Sequence, residues 1–163
     1  MDEEILVTVE VSAPRRWLGI AMLAGLGALV IYVALAAPPE PAWQAFLVVT
    51  GLGALWMAEK MRRATASRLE LTREELRDSL RGRIVAIRDL EHMDRGFFAM
   101  KPSNGFLLRA AGTGTRAWAP GLWWRLGRRI GVGGVTAAAQ TKAMSEVLAA
   151  LMAERRAQDD QAS

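Results

Sequence analysis

Residues 17–37 read WLGIAMLAGLGALVIYVALAA, and residues 42–58 read AWQAFLVVTGLGALWMA; neither stretch contains a charged side chain. At about 1.5 Å per residue, the two would form helices roughly 31 and 25 Å long, against a hydrocarbon core of about 30 Å. The first stretch spans a bilayer unaided. The second is short, and its ends reach the interface through Trp43, Trp56 and the long side chain of Lys60. These two runs set the expected architecture, a transmembrane helical hairpin over residues 15–60.

A signal peptide is the competing reading of the first run. It is disfavoured because the apolar stretch is long, 16 residues precede it, and Asp2, Glu3 and Glu4 stand where a short basic segment belongs. The flanks carry the orientation. Arg15 and Arg16 precede the first run, with Trp17 at its edge, and Lys60, Arg62 and Arg63 follow the second. The connecting Pro38-Pro39-Glu40-Pro41 has no cation. The positive-inside bias therefore predicts that both termini are cytoplasmic and that the turn is outside.

Residues 1–59 hold two Arg and six acids, whereas residues 60–163 hold 19 Lys or Arg and 11 acids. The positive charge thus belongs to the part that would face an anionic leaflet. With no cysteine there are no disulfides or thiolate metal sites, and with one histidine, His92, no histidine-rich metal centre. No ionisable side chain lies within either apolar run, which argues against an ion path through this chain alone. Ala21-x-x-x-Gly25 and Ala24-x-x-x-Ala28 offer small faces for close helix packing, with Thr50, Gly51 and Ala54 as the opposing surface.

Upstream of the hairpin, Ile5, Val7, Val9 and Val11 alternate with Leu6, Thr8 and Glu10, the period of a strand with one buried face. A lone strand is unstable, so residues 1–14 are expected to pack on the domain beyond residue 64. That domain, residues 64–157, reads as short strands over Arg68–Thr72, Leu76–Ser79, Arg83–Leu90, Gly96–Lys101, Phe106–Ala111 and Arg116–Ala119, with a further strand at Arg128–Val132. Turn signals stand at Arg81-Gly82, Pro102-Ser103-Asn104-Gly105 and Gly112-Thr113-Gly114. Met144, Val147, Leu148, Leu151 and Met152 form one helical stripe, with Thr136 as N-cap and residues 158–163 as a frayed polar tail.

Short strands closed by one amphipathic helix, after a two-helix hairpin, resemble bacterial membrane proteins with a PH-like domain. The opening strand and turn Arg68–Leu76 and the closing helix Thr136–Arg156 carry the resemblance. It implies an α+β fold with a PH-like barrel joined by the N-terminal strand, in the bacterial inner membrane. It brings no catalytic signature and no cofactor. The Arg116–Gly134 segment departs from a minimal domain of this kind and reads as an added loop.

That segment concentrates the candidate site residues: Arg116, Trp118, Trp123, Trp124, Arg125, Arg128 and Arg129. Trp favours the membrane–water interface, and Arg reaches phosphates while its stem lies on apolar surface. The same residue types are enriched at protein interfaces. Lipid surface, partner surface and domain core all remain open readings. Gly131–Thr136 invites a phosphate-loop reading, but it lacks the Lys-Ser/Thr ending, and a turn into a helix fits better. Asp89, Glu91, His92 and Asp94 could be drawn as a metal or acid–base site; Arg88 and Arg95 stand ready to neutralise them. The expectation is a non-enzymatic accessory, assembly or scaffolding subunit of a larger inner-membrane complex, in contact with anionic lipids and not with nucleic acid. The alternative is a stand-alone regulatory module that binds anionic lipid.

Overall fold

The computed structural model describes residues 4–94 and 105–161. Its hairpin consists of α1, Ala13–Ala36, and α2, Pro41–Ala64. Pro14 and Pro41 sit in the first turns, where no intrahelical N–H is lost. Both helices are long and apolar enough to cross a membrane, and only 17% and 11% of their apolar stretches are buried. The core helix of a soluble protein would hide most of its surface. These two instead expose Leu18, Met22, Leu29, Phe46, Val49 and Leu52.

The helices meet through Gly27 and Gly51. A Cβ on Gly27 would lie 2.8 Å from the Gly51 carbonyl oxygen, and one on Gly51 would lie 2.9 Å from that of Gly27. The expected small faces are met in part: Gly51 makes this contact and Ala24 packs beside Ala58, but Ala21, Gly25 and Ala28 are exposed, as is Thr50, whose hydroxyl turns back to the Phe46 carbonyl at 2.8 Å. Near the turn, Gln44 Nε2 donates to the Ala34 carbonyl at 3.0 Å, so the one amide side chain in the apolar run is satisfied across the hairpin.

The strand-rich part comprises β1 (Val7–Val9), β2 (Leu69–Leu71), β3 (Glu75–Asp78), β4 (Gly82–Ala86), β5 (Leu90–Asp94), β6 (Phe106–Ala119) and β7 (Trp123–Val132). They form two antiparallel sheets, ordered β1-β2-β3-β4 and β5-β6-β7. The strand before the hairpin thus pairs with the strand after it, Val7 opposite Leu71 and Val9 opposite Leu69. Beyond it, Val11 bridges Thr136, Ser12 N–H donates to the Val135 carbonyl and Ala137 N–H to that of Glu10.

The expected barrel is corrected: among the described residues the sheets do not close. The stretch expected as one strand over Arg83–Leu90 breaks at a 3-10 turn, Ile87–Asp89, and β5 then pairs with β6 rather than continuing β4. The strands expected at Phe106–Ala111 and Arg116–Ala119 are one strand. Gly112-Thr113-Gly114 is no turn but an irregular stretch of β6, where the register with β7 shifts. Arg116–Gly134 is likewise not an added loop; most of it forms the end of β6 and all of β7, reversing at Pro120–Leu122 with Gly121 at φ 80°. The strand expected over Gly96–Lys101 and the turn residues Pro102, Ser103 and Asn104 lie outside the described residues.

One core joins everything outside the hairpin. Val9, Leu69, Leu71, Leu76, Leu90, Leu108, Met144 and Leu148 are fully buried in a single cluster. Each such side chain contributes roughly 1.5–3 kcal/mol of burial. The covering helix α3, Ala138–Gln161, places Met144, Leu148 and Met152 inward, with Val147 and Leu151 at the margin. Thr136 does not cap it: the residue is buried in the bridge to Val11, and its hydroxyl accepts from Thr141 Oγ1 at 3.0 Å. The helix continues through exposed residues 158–161 of the polar tail. One turn or more before its end the helix is tied to the domain by Arg155, donating to the Ile87 and Arg88 carbonyls, and by Arg156, donating to that of Glu91.

Candidate membrane-facing site

The last turns of α2, the β3–β4 turn and the β6–β7 turn converge on one edge of the domain. Asp78, at the end of β3, organises them. Its side chain is fully buried; Oδ1 accepts from Leu80 and Arg81 N–H at 2.9 and 3.1 Å. Oδ2 accepts from Trp123 Nε1 at 2.7 Å and Arg81 Nη1 at 3.1 Å, and Ser67 Oγ lies 3.2 Å away. Burial opposes ionisation of Asp78, but the bonds from Trp123, Leu80 and Arg81 outweigh it and hold the carboxyl below its ordinary range. Ser67 Oγ also lies 2.8 Å from the Ala64 carbonyl, so the sheet edge is tied to the C-terminus of α2.

This geometry sorts the seven Trp and Arg candidates. Trp123 is core, corrected from an interface residue, because Asp78 supplies the buried acceptor that its indole N–H requires. Trp124 is half-buried and its ring lies against Gly131, where no Cβ would fit. Arg125 lies over Gly114 and donates to the Ile84 and Gly127 carbonyls. Arg128 donates to the Ala110 carbonyl at 3.0 Å and to both oxygens of Glu91 at 2.7 and 2.8 Å. Arg125 and Arg128 are therefore braces for the bent β6–β7 hairpin. Arg116, Trp118 and Arg129 remain exposed, with Leu126 beside them. The seven do not form one surface.

The flanking residues are drawn together more closely than the linear order suggests. Arg16 Nη2 donates to the Arg62 carbonyl at 3.3 Å, and Arg15 Nη1 to that of Thr136 at 3.4 Å, joining the start of α1 to the end of α2 and to the segment before α3. Arg16 also lies 5.5 Å from the Trp17 ring centre. Trp17 and Trp43 are exposed, Trp43 packing edge-on against Phe46 at 5.6 Å. Arg62 and Arg63 both bind Glu59, at 2.6–2.8 Å. Lys60 is held between two rings, 4.6 Å from the centre of Trp56 and 5.1 Å from that of Trp118. A cleft of about 390 Å³ opens there, lined by Trp56, Glu59, Lys60, Arg63, Arg81, Trp118 and Pro120.

No family model, curated protein or solved structure matches this chain.

Two other clusters are engaged by their own neighbours. The Gly131–Thr136 segment spends its amides internally, Gly133 N–H on the Leu122 carbonyl and Val135 N–H on that of Gly121. Of the acidic cluster, Glu91 is taken up by Arg128 and Arg109, and Asp89 lies 3.8 Å from Arg88. Among the described residues, no three potential metal ligands of His, Cys, Asp or Glu come together. A depression of about 450 Å³ between β3, β4 and the end of α3 is lined by both signs of charge, including Glu74, Arg83, Arg88 and Glu154. Sequence reasoning missed Asp78, Arg81 and Leu80. Arg81 was legible only as part of a turn, and no local pattern marks Asp78.

Proposed function

We propose that this chain is a non-enzymatic accessory or scaffolding subunit of a bacterial inner-membrane complex. In this reading α1 and α2 cross the bilayer, both termini lie in the cytoplasm, and the two-sheet domain is a PH-like module held at the inner leaflet. The observation that carries it is the double seam between hairpin and domain. On one side β1 pairs with β2 immediately before α1; on the other, Asp78, Ser67 and Ala64 join β3 to the exit of α2. A domain sewn on at both ends of its anchor cannot swing as on a flexible tether. It presents a fixed face to neighbours in the membrane, which is what a scaffold requires.

Arg116, Trp118 and Leu126 line one shallow depression and, with exposed Arg129 farther along β7, are the side chains of this segment best suited to a partner; Arg116, Leu126 and Arg129 are exposed, while Trp118 also stacks on Lys60. The test is photocrosslinking in native membranes, with the crosslinker at Leu126 or Arg129 and a control at Lys142 on exposed α3. A discrete protein adduct from the first two positions alone supports the scaffold reading. Adducts to lipid only, at every position, move it to the second reading: a stand-alone module recognising anionic lipid. That second reading is favoured by the cation held between Trp56 and Trp118.

A further inference from the structure

We infer that the cleft between the end of α2 and the β6–β7 turn binds the phosphate group of an anionic membrane phospholipid, with Lys60 as the direct contact. This rests on the membrane-spanning reading of α1 and α2, and it names a site rather than a surface.

An ammonium has three N–H donors, and two aromatic faces satisfy its charge but supply no lone pair. Among the described residues Lys60 has no carboxylate or carbonyl partner; its contacts are the rings of Trp56 and Trp118. It is thus partly desolvated and oriented, with its hydrogen bonds unspent. A phosphate oxygen is the acceptor that such a cation lacks.

The surroundings favour an anion. The one acid at the cleft, Glu59, already accepts from Arg62 and Arg63 through both oxygens. Arg63 uses only its Nε in that contact and is 74% exposed, leaving its terminal nitrogens available. Arg81 is anchored by Nη1 to Asp78 and Ser67 on its inner side. Three cations therefore line a space in which the only carboxylate among the described residues, Glu59, is occupied.

Depth selects the source of the phosphate. Lys60 follows the charge-free run of α2, which ends at Ala58, and Trp56 lies one turn before it. In a membrane this is the headgroup level, where indole rings reside. Trp118, 49% exposed, and Leu80, 67% exposed, are the apolar side chains that the domain offers near this edge. A lipid can therefore place its phosphate on Lys60 and its glycerol and upper acyl carbons against these rings. A free phosphate would use the cation alone.

The experiment uses the full chain, delipidated in a neutral detergent and titrated with brominated phosphatidylglycerol or brominated phosphatidylcholine, reading indole quenching. The wild type should prefer the anionic lipid. Lys60→Gln should reduce that preference roughly tenfold or more, the loss expected for one charge-assisted contact, whereas Lys60→Arg should retain it. Trp118→Leu, a change at a half-exposed position, should weaken binding of the anionic lipid without altering far-ultraviolet circular dichroism. Equal binding of both lipids by the wild type, or an undiminished preference in Lys60→Gln, overturns the assignment. Competition by inorganic phosphate as effective as that by the lipid shows an ion site and overturns the lipid. Failure of the membrane reading itself is distinguishable, because a cysteine at residue 40 would then show no sidedness in intact cells.

Discussion

Trp123 Nε1 donates to Asp78 Oδ2 at 2.7 Å, and neither side chain is more than marginally exposed. The bond crosses from one sheet to the other, β7 to β3, and through Ser67 it reaches the last turn of α2. A neutral donor on a buried carboxylate is stronger than a neutral pair, because the low dielectric amplifies it.

Trp123→Phe removes this donor while keeping much of the ring volume. It should lower the stability of the purified protein by about 1.5–3 kcal/mol, measured by denaturant unfolding followed with far-ultraviolet circular dichroism. Trp118→Phe, at an exposed position, should cost less than about 0.5 kcal/mol. Equal costs would mean that the inter-sheet bond contributes nothing.

Asp78 also sets a pH dependence. Its folded pKa is depressed, so its contribution is fully present above the unfolded value of about 3.9 and is lost as pH falls through the folded one. Glu70 is buried too, and burial opposes its ionisation; Arg77 at 2.9 Å and Arg68 at 3.0 Å outweigh that and depress its pKa, so it titrates in the same direction. Unfolding midpoints should be nearly level from pH 7 to about pH 5 and fall as the pH is lowered from there toward about pH 2, less steeply in Asp78→Asn. Parallel curves for the two proteins would remove Asp78 from the account.

The N-terminal strand should be indispensable to a domain from which α1 and α2 separate it in sequence. Val9 is fully buried opposite Leu69. Val9→Ala should cost about 2 kcal/mol, and Val9→Asp should prevent stable folding. Ile5→Asp, at an exposed position, serves as the control. A domain beginning at residue 64 that unfolds at the same denaturant concentration as the full chain would refute this.

Helix packing gives a paired prediction. Gly27→Ala places a methyl 2.8 Å from the Gly51 carbonyl oxygen, so the helices must separate, whereas Gly25→Ala and Gly53→Ala meet nothing within 4 Å. The first should destabilise the hairpin by about 1–3 kcal/mol. The other two should be neutral or slightly stabilising through helix propensity. Disulfide crosslinking between cysteines introduced on α1 and α2 reads the separation directly.

Topology is tested on a chain with no native cysteine. A cysteine at Glu40 should react with a membrane-impermeant maleimide in intact cells, and one at Glu146 on α3 only after the membrane is opened. The reverse pattern would invert the orientation drawn from Arg15, Arg16, Lys60, Arg62 and Arg63.

Local patterning by itself determined which segments are apolar helices, that a strand with Val9 inward precedes the hairpin, though it spans Val7–Val9 and leaves Ile5 exposed, and which stripe of α3 faces inward. These follow from periods of 3.6 and 2 that any short window displays. The fate of the Trp and Arg residues was not legible in that way. Trp118, Trp123 and Trp124 share one composition, yet Trp118 is exposed, Trp123 is buried and Trp124 lies between. What separates them is the pairing of β6 with β7, which sets Trp118 opposite Trp124 and turns Trp123 to the other side, together with a buried acceptor contributed from 45 residues away by Asp78. A one-residue change of register turns a strand's side chains to the other face. The same holds for Lys60: its place between two indoles depends on Trp118, brought to α2 only when the β6–β7 turn docks there. Residue types determined what could sit at the membrane boundary, and long-range pairing decided which side chains do.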